Sequence, residues 1–294
     1  MERSDQQRRA TEAWLASAWA QTARPGEVLV EGAAIRYRSW GLEHPAKPGL
    51  VFVHGFMAHA RWWDHIAPHF ADRYRVVALD FSGMGDSERR PRYSRRQFAR
   101  EILAVADHAG ITDLTLVAHS FGSVSALYAC RLAPQRVTRA IVIDAHVFRP
   151  ERDEPFETRP ERIYPDRAAA EARFRLGPPG RWPDPAVLAY IAQHSVVEKP
   201  QGWTWKFDPS ARQSIDSEPD LRSELVGMPT PVDFIHGDRS EIVDADALAA
   251  LAANLPGCGR PVAIALCHHH VMIEQPVALV AALDSLLANP RVRP

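Results

Sequence analysis

Cysteine and lysine are both scarce in this sequence, with only three of each among 294 residues. The cysteines, Cys130, Cys258 and Cys267, are odd in number and widely spaced, and no Cys-x-x-Cys pair occurs. This pattern argues against a disulfide framework and against a cysteine-based metal site. Arginine takes the place of lysine, which we interpret as a bias of composition rather than a sign of function.

Long apolar runs and a strong net charge are missing as well. No apolar run approaches the roughly 20 residues of a membrane-spanning helix, and the polar N-terminus is unlike a signal peptide. The net charge of -1 argues against nucleic acid or an anionic membrane as the main partner. We therefore expect a cytoplasmic protein that acts on a small-molecule substrate. A homo-oligomer is compatible with the sequence.

Short apolar strands alternate with helical segments over most of the chain. Six buried strands are predicted, at residues 49–53, 74–79, 114–118, 138–144, 232–236 and 262–266, after an edge hairpin at residues 28–40. Strands that alternate with helices imply βαβ units and a mostly parallel sheet. Ligands bind at the carboxyl ends of the strands in such sheets. His54, Asp80, Ser120 and Asp144 all fall at strand ends of this kind.

Two segments depart from this alternation. Residues 1–27 are predicted to form a helical extension, because Trp14, Leu15, Ala18 and Trp19 follow one another at helical spacing. Residues 148–225 are rich in proline and tryptophan, and we interpret them as an inserted cap. The predicted core then consists of residues 28–147 and 226–294.

The chemistry is centred on Ser120. A short apolar strand from Leu114 to Ala118 runs into this serine, and a helical segment follows at residues 121–132. A serine held at a sharp strand-to-helix turn is a nucleophile elbow. The turn needs small residues two before and two after the serine, and Ala118 and Gly122 occupy those positions.

Four stretches taken together resemble the α/β-hydrolase superfamily with a helical cap. They are His54-Gly55-Phe56, Asp80-Phe-Ser-Gly-Met-Gly-Asp-Ser87, Ala118-His-Ser-Phe-Gly122 and His269-His-Val-Met-Ile-Glu-Gln-Pro276. The resemblance covers about residues 28–147 and 226–290. It implies an α/β fold in which helices flank a mostly parallel, eight-stranded sheet. The stretch that begins at Asp80 is interpreted as a turn scaffold rather than as a catalytic element.

The resemblance also implies roles for single residues. Ser120 would be the nucleophile, and the backbone N–H groups of Phe56 and Phe121 would form the oxyanion hole. The base would be His269, seven residues before Pro276. Its neighbours at positions 268 and 270 would be packing or polar residues, because three adjacent histidines cannot all turn towards one ion from a regular backbone. No metal or organic cofactor is expected.

The acid that orients the histidine departs from the family pattern. Ser240 stands where the family commonly carries an aspartate, in the stretch His236-Gly-Asp-Arg-Ser240. Asp144 is the favoured substitute, because subgroups that resemble haloalkane dehalogenases place their acid after the preceding strand. Glu241 is the alternative, and Asp238 or no acid at all also stays open.

The leading hypothesis is a serine hydrolase that acts by acyl transfer through a Ser-His-acid triad. Its substrate would be a small or medium, largely apolar carboxylic ester, thioester or lactone. Three alternatives stay open: a C–C bond hydrolase of a diketone-like intermediate, a cofactor-free oxygenase, and a ligand-binding protein of low activity on the same scaffold. Haloalkane dehalogenation is disfavoured because Ser120 stands at the nucleophile position instead of an aspartate.

Overall fold

An eight-stranded sheet forms the centre of the protein. The structure is a computed structural model, and it describes residues 5–148, 160–216, 222–255 and 257–289. The strands of the sheet are β1 (Arg24–Val30), β2 (Ala33–Trp40), β3 (Gly49–Val53), β4 (Arg75–Leu79), β5 (Leu114–His119), β6 (Val137–Ile143), β9 (Val232–Gly237) and β10 (Val262–Ile264). Two further strands, β7 (Val196–Lys199) and β8 (Gly202–Trp205), pair separately as a hairpin.

The order of strands in the sheet is β1-β2-β4-β3-β5-β6-β9-β10. The hairpin of β1 and β2 is antiparallel and joins β4 in antiparallel register, whereas every later pairing is parallel. Glu31 and Gly32 turn this hairpin with φ values of 46° and 82°, the left-handed geometry of a tight two-residue turn. The predicted α/β class and the mostly parallel eight-stranded sheet are therefore confirmed.

Helices cover both faces of this sheet. They are α1 (Asp5–Trp19), α2 (Arg95–His108), α3 (Phe121–Leu132), α4 (Arg167–Glu171), α5 (Pro185–His194), α6 (Ala211–Asp216), α7 (Ala245–Asn254), α8 (Val271–Glu274) and α9 (Pro276–Ala288). Among the described residues, no helix has the length and apolarity required to cross a bilayer.

Alternate residues of each central strand supply two separate apolar layers. In β3, Val51 and Val53 point into the layer that contains α2 and α3, whereas Leu50 and Phe52 point into the layer that contains α9. All five residues of β3 are buried, as expected for a strand covered by helices on both faces. The sheet is thus a rigid frame for the residues at its strand ends.

The N-terminal helix α1 belongs to the second of these layers. Leu15 and Ala18 are fully buried, and the ring of Trp14 stacks on His69 at a centroid distance of 4.3 Å. The predicted N-terminal helix therefore packs on the body of the protein through the face that carries these residues.

Two local features depart from what the sequence suggests. The segment between β3 and β4 predicts a single helix near residues 62–70, but two short 3₁₀ helices form, at Ala60–Trp63 and Ala67–Phe70. Pro68 has no backbone N–H, so a continuous α-helix could not pass through this position without losing a hydrogen bond. The predicted cap also contains the β7–β8 hairpin, which was not expected, because four-residue strands are too short to reveal a period of two.

The segment between β6 and β9 adds no strand to the main sheet within the part of the chain that is described. It contains α4, α5, α6 and the hairpin, and it is joined to the core by specific contacts. The hydroxyl of Tyr190 on α5 donates to Asp64, which also accepts from Arg38 at 2.7 Å. The exact division into core and cap stays a prediction.

Candidate active site

Ser120 lies at the sharp turn between β5 and α3. Its backbone has φ 52° and ψ -123°, a left-handed conformation that non-glycine residues rarely adopt, and its N–H donates to Ile143 O at 2.9 Å. The backbones at this turn are close, since a Cβ on Gly122 would lie 2.3 Å from the carbonyl oxygen of His54. Only glycine fits there, which is the packing that the A-x-S-x-G pattern predicts.

The loop that starts at His54 lies directly against the serine. A Cβ built on Gly55 would be 3.4 Å from Ser120 Cβ. His54 fixes the loop, because its Nδ1 donates to Gly55 O at 2.7 Å and its Nε2 accepts from Phe81 N at 3.0 Å. Burial lowers the pKa of His54 to about 4, so the ring stays neutral and keeps both bonds at pH 7.

Phe56 and Phe121 flank the serine. Their rings meet edge to face at a centroid distance of 5.3 Å. Phe121 is the first residue of α3, so its N–H has no acceptor within the helix. A backbone N–H of this kind, at the positive end of a helix dipole, is well suited to bind a developing negative charge.

His269 and Asp144 form a buried hydrogen-bonded pair. His269 Nδ1 donates to Asp144 Oδ1 at 2.8 Å, and the two side chains are 6% and 0% exposed. Asp144 directly follows β6 and has φ 46°. The chain therefore turns sharply at this residue, and its carboxylate lies against His269 and Gly237. Because Nδ1 carries the proton, the Nε2 lone pair of His269 is free to accept another proton.

Ser240, the residue that replaces the usual acid, belongs to the same network. Its hydroxyl donates to Asp144 Oδ1 at 2.7 Å, and Gly237 N donates to Asp144 Oδ2 at 2.9 Å. The carboxylate of Asp144 therefore accepts three hydrogen bonds, which stabilise its charged form in a buried environment. The sequence did not reveal this role for Ser240. The sequence did contain one signal that pointed to this network: the usual acid is missing after β9, and an acid is present after β6.

We expect Ser240→Ala to lower kcat/KM about ten-fold, which corresponds to roughly 1 to 2 kcal/mol for one charged hydrogen bond. The hydroxyl also accepts from the N–H groups of Ile242 and Val243, so the alanine variant should lose some stability too. The matched control is Ser240→Thr, which keeps a hydroxyl and should retain most activity. Steady-state kinetics measure this effect. A folded Ser240→Ala variant with the kcat/KM of the wild type would contradict the role of the Ser240 hydroxyl in supporting Asp144.

The other two candidate acids lie elsewhere. Asp238 and Glu241 are both exposed, and Asp238 Oδ1 accepts from the backbone N–H of Cys267 at 3.1 Å. The carboxylate that contacts His269 is that of Asp144.

His268 and His270 have partners of their own. His268 Nδ1 contacts the buried carboxylate of Glu274 at 2.9 Å, and His270 Nε2 donates to Pro178 O at 3.0 Å. The prediction that three adjacent histidines do not share one ion concerned positions 268 to 270. The structure instead places His119 beside two of them, and one nitrogen from each of His119, His269 and His270 lies within 4.8 Å of the others.

The stretch after β4 has its own scaffold of hydrogen bonds. The Asp80 carboxylate accepts from Ala60 N at 2.6 Å and from Asp86 N at 2.9 Å. A Cβ on Gly85 would lie 2.3 Å from this carboxyl group, so the loop requires glycine. Burial raises the pKa of Asp80 to about 6. These contacts agree with the interpretation of this stretch as a turn scaffold.

A second serine–histidine contact connects the core to the segment after β6. His59 Nε2 lies 2.9 Å from Ser195 Oγ. The Ser195 hydroxyl donates its proton to Ile191 O at 2.7 Å, so the histidine is the donor in this contact. A histidine that donates cannot activate the serine as a base, and we assign the contact a structural role.

Two open cavities border this contact, with volumes of about 410 and 240 Å³. His59 and Lys206 line both of them. The smaller cavity also includes Met57, which directly follows Phe56, and aromatic and cationic side chains. Those are Tyr164, Trp205, Phe207, Arg162, Arg173 and Arg175.

A mostly parallel sheet in this strand order, with a serine at a strand-to-helix turn and a histidine paired to a carboxylate, defines the class of α/β hydrolase folds. The family model for the alpha/beta hydrolase fold matches residues 48–276, and the chain belongs to this family.

Individual relatives are more distant. The uncharacterized hydrolase YugF of Bacillus subtilis is 27% identical over 116 residues, which are 39% of this chain and 42% of the relative. The 2-heptyl-3-hydroxy-4-quinolone dioxygenase AqdC2 of Rhodococcus erythropolis is 32% identical over 120 residues, 40% of this chain and 44% of the relative. The chain thus matches less than half the length of these curated relatives.

A solved structure extends the likeness over nearly the whole chain. An esterase from Mycobacterium tuberculosis superposes with a TM-score of 0.75 at 20% identity, covering 94% of this chain and 97% of the other. At this identity the likeness shows a common fold and nothing about the substrate.

Proposed function

We propose that this protein is a serine hydrolase that acts by acyl transfer, with Ser120, His269 and Asp144 as its catalytic triad. The observation that carries the proposal is the buried hydrogen bond from His269 Nδ1 to Asp144. It leaves His269 Nε2 as an acceptor, in a fold whose strand-to-helix turn presents a strained serine.

In the first half-reaction, Ser120 Oγ attacks the carbonyl carbon of the substrate while His269 Nε2 accepts the hydroxyl proton. The N–H groups of Phe56 and Phe121 bind the negative oxygen of the tetrahedral intermediate. Asp144 stabilises the imidazolium that forms and holds the ring in the required tautomer. Collapse of the intermediate expels the alcohol or thiol, which takes its proton from His269.

In the second half-reaction, water attacks the acyl-enzyme. His269 Nε2 accepts a proton from this water, and the same oxyanion hole stabilises the new tetrahedral intermediate. Its collapse releases the carboxylic acid and returns the proton to Ser120. The cycle needs no component other than the chain, substrate and water.

The proposed substrates are small or medium carboxylic esters, thioesters or lactones. The rings of Phe56 and Phe121 beside Ser120 support an apolar acyl group. The arginines and the lysine that line the cavity next to Met57 support a negatively charged group elsewhere in the substrate. A substrate panel should therefore include esters and thioesters that carry a carboxylate or phosphate.

A fluorophosphonate probe tests the nucleophile directly. We expect stoichiometric labelling of Ser120, detected as a mass increase of the intact protein and located by peptide mapping. Loss of the general base in His269→Ala should slow the labelling by more than about 100-fold.

Ser195 is an internal control for this experiment, because it also lies beside a histidine but donates its proton to a carbonyl. It should stay unlabelled. A folded wild-type protein without label at Ser120 would refute the acyl-transfer mechanism.

A second candidate function is cofactor-free dioxygenation. It is favoured by the position of the acid after β6 and by the similarity to a relative named as a quinolone dioxygenase. In this case the His269–Asp144 pair would remove a proton from a hydroxylated heteroaromatic substrate, which would then react with dioxygen. Oxygen consumption with 3-hydroxy-4-quinolones, measured on the same preparation, separates this candidate from hydrolysis.

A further inference from the structure

Three buried histidines converge next to the proposed nucleophile. His119 precedes Ser120 in the chain, and His269 and His270 follow β10. The ring of His119 lies 4.7 Å from that of His269 and 5.8 Å from that of His270, and the latter two rings are 4.9 Å apart. All three residues are no more than 5% exposed.

The hydrogen bonds of these rings fix which nitrogen carries the proton. His119 Nε2 donates to the carbonyl oxygen of His269 at 3.0 Å, and His270 Nε2 donates to Pro178 O at 3.0 Å. Both contacts require the proton on Nε2, since a carbonyl oxygen only accepts. In His269 the proton lies on Nδ1, which donates to Asp144.

The opposite nitrogen of each ring is consequently an electron-pair donor. Nδ1 of His119 and Nδ1 of His270 are buried and have no hydrogen-bond partner. Burial holds the pKa of His119 well below the usual range and lowers that of His270 to about 3, so both rings are neutral at pH 7. These two unpartnered buried nitrogens and His269 Nε2 thus belong to three neighbouring rings, whose centroids lie 4.7 to 5.8 Å apart.

This arrangement matches that of histidines that bind transition metals. Such histidines almost always donate their second ring N–H to a carbonyl or a carboxylate, which fixes the tautomer and the ring orientation. Here the three second partners are the carbonyls of His269 and Pro178 and the carboxylate of Asp144. Three imidazoles with a water as the fourth ligand form a regular zinc site.

We propose that His119, His269 and His270 bind a divalent transition metal ion such as Zn²⁺, and that this ion inhibits the enzyme. One nitrogen from each of these residues lies within 4.8 Å of the other two. Nitrogens bound to one tetrahedral zinc ion are about 3 to 3.5 Å apart, given Zn–N bonds of roughly 2 Å. Shifts of the rings by about 1 Å or less therefore bring the three nitrogens into bonding distance.

The inhibitory effect rests on the proposed function, because the ion would use the Nε2 lone pair of His269. That lone pair is the acceptor for the proton of Ser120 in the hydrolase mechanism. A metal-bound imidazole cannot take this proton, so binding and turnover exclude each other. At a free zinc concentration ten times the Kd, activity should fall about ten-fold by mass action.

Metal binding is measured first and without any substrate. The protein is treated with EDTA, exchanged into metal-free buffer and titrated with ZnCl₂ by calorimetry and with CoCl₂ by visible absorption. We expect one ion per chain and the absorption bands of tetrahedral Co²⁺. His119→Gln and His270→Gln should each weaken binding at least ten-fold.

The matched control is His268→Gln, which changes an adjacent histidine whose ring contacts Glu274 instead of the cluster. It should bind zinc like the wild type. Circular dichroism establishes that each variant is folded, and His270→Gln tests the site even where His119→Gln does not fold.

Turnover of an ester substrate is then followed with and without zinc. We expect inhibition of the wild type that EDTA reverses and that His270→Gln resists. Zinc binding without any esterase activity would contradict the proposed hydrolase while the metal site stands. No binding near one ion per chain, or binding unchanged in both variants, would overturn the metal site.

Discussion

Asp144→Asn is expected to reduce kcat of ester hydrolysis by about 10⁴-fold. The asparagine has nearly the same shape, but it carries no charge to stabilise the imidazolium of His269. Its amide N–H₂ group is a hydrogen-bond donor and would replace one of the two carboxylate oxygens. Either position already faces a donor, Ser240 Oγ at Oδ1 or Gly237 N at Oδ2. The histidine would then be held in the wrong tautomer or left without an orienting partner. Steady-state kinetics and the rate of fluorophosphonate labelling should fall together.

The controls are the two other carboxylates near β9. Glu241→Gln and Asp238→Asn change exposed residues and should each retain activity within about two-fold of the wild type. Thermal melting of Asp144→Asn distinguishes a lost charge from a lost fold. If Asp144→Asn kept near-wild-type turnover while Glu241→Gln lost it by orders of magnitude, the acid would have to be reassigned to Glu241.

Most of the fold could be predicted because buried parallel strands leave a strong local signal. The predicted strand at 49–53 matches β3 residue for residue, and the predicted helix at 121–132 matches α3. Other helices begin at residues with clear local effects, since Asp184 and Asp244 cap the N-termini of α5 and α7 with their side chains.

The acid could not be decided from the sequence because the choice depends on side-chain direction. Asp144, Asp238 and Glu241 all lie just beyond strand ends, which fixes their neighbourhood and leaves their orientation open. The orientation follows from the left-handed backbone of Asp144 and from hydrogen bonds across the sheet to Gly237 and Ser240. No local sequence pattern reports such contacts.

The histidine cluster was missed for a related reason. His119 and His270 are 151 positions apart in the chain, and they meet only because β5 and the loop after β10 end on the same edge of the sheet. In the sequence, His119 is merely the variable residue before the serine. The unpartnered nitrogens that indicate a metal site are visible only once the other ring nitrogens have found their acceptors.

Acid is expected to unfold this protein between pH 6.5 and pH 4. Burial lowers the pKa values of His54 and His65 to about 4 and that of His270 to about 3, and it holds those of His59 and His119 well below the usual range. In the unfolded chain these histidines titrate near 6.5. Below pH 6.5 the unfolded state therefore binds more protons than the folded state, and stability is lost as the pH falls towards 4.

Buried carboxyl groups oppose part of this effect. Burial raises the pKa values of Asp64, Asp80 and Glu101, so these groups bind protons more readily in the folded state. The histidines whose pKa values burial lowers outnumber these carboxyls and include the half-buried His194, so unfolding takes up protons on balance near pH 5. Each proton taken up lowers the free energy of unfolding by about 1.4 kcal/mol for each unit by which the pH falls.

Urea unfolding at a series of pH values between 4.5 and 7.5 measures this slope. His65→Gln should reduce it by about one proton, because the glutamine amide can still donate to Met272 O as His65 Nε2 does, yet does not titrate. His44→Gln is the matched control, since the His44 side chain is 55% exposed and its replacement should leave the slope unchanged. A free energy of unfolding that stays constant from pH 6.5 to 4.5 would mean that these histidines gain compensating partners, and the neutral rings assigned to His119 and His270 would have to be reconsidered.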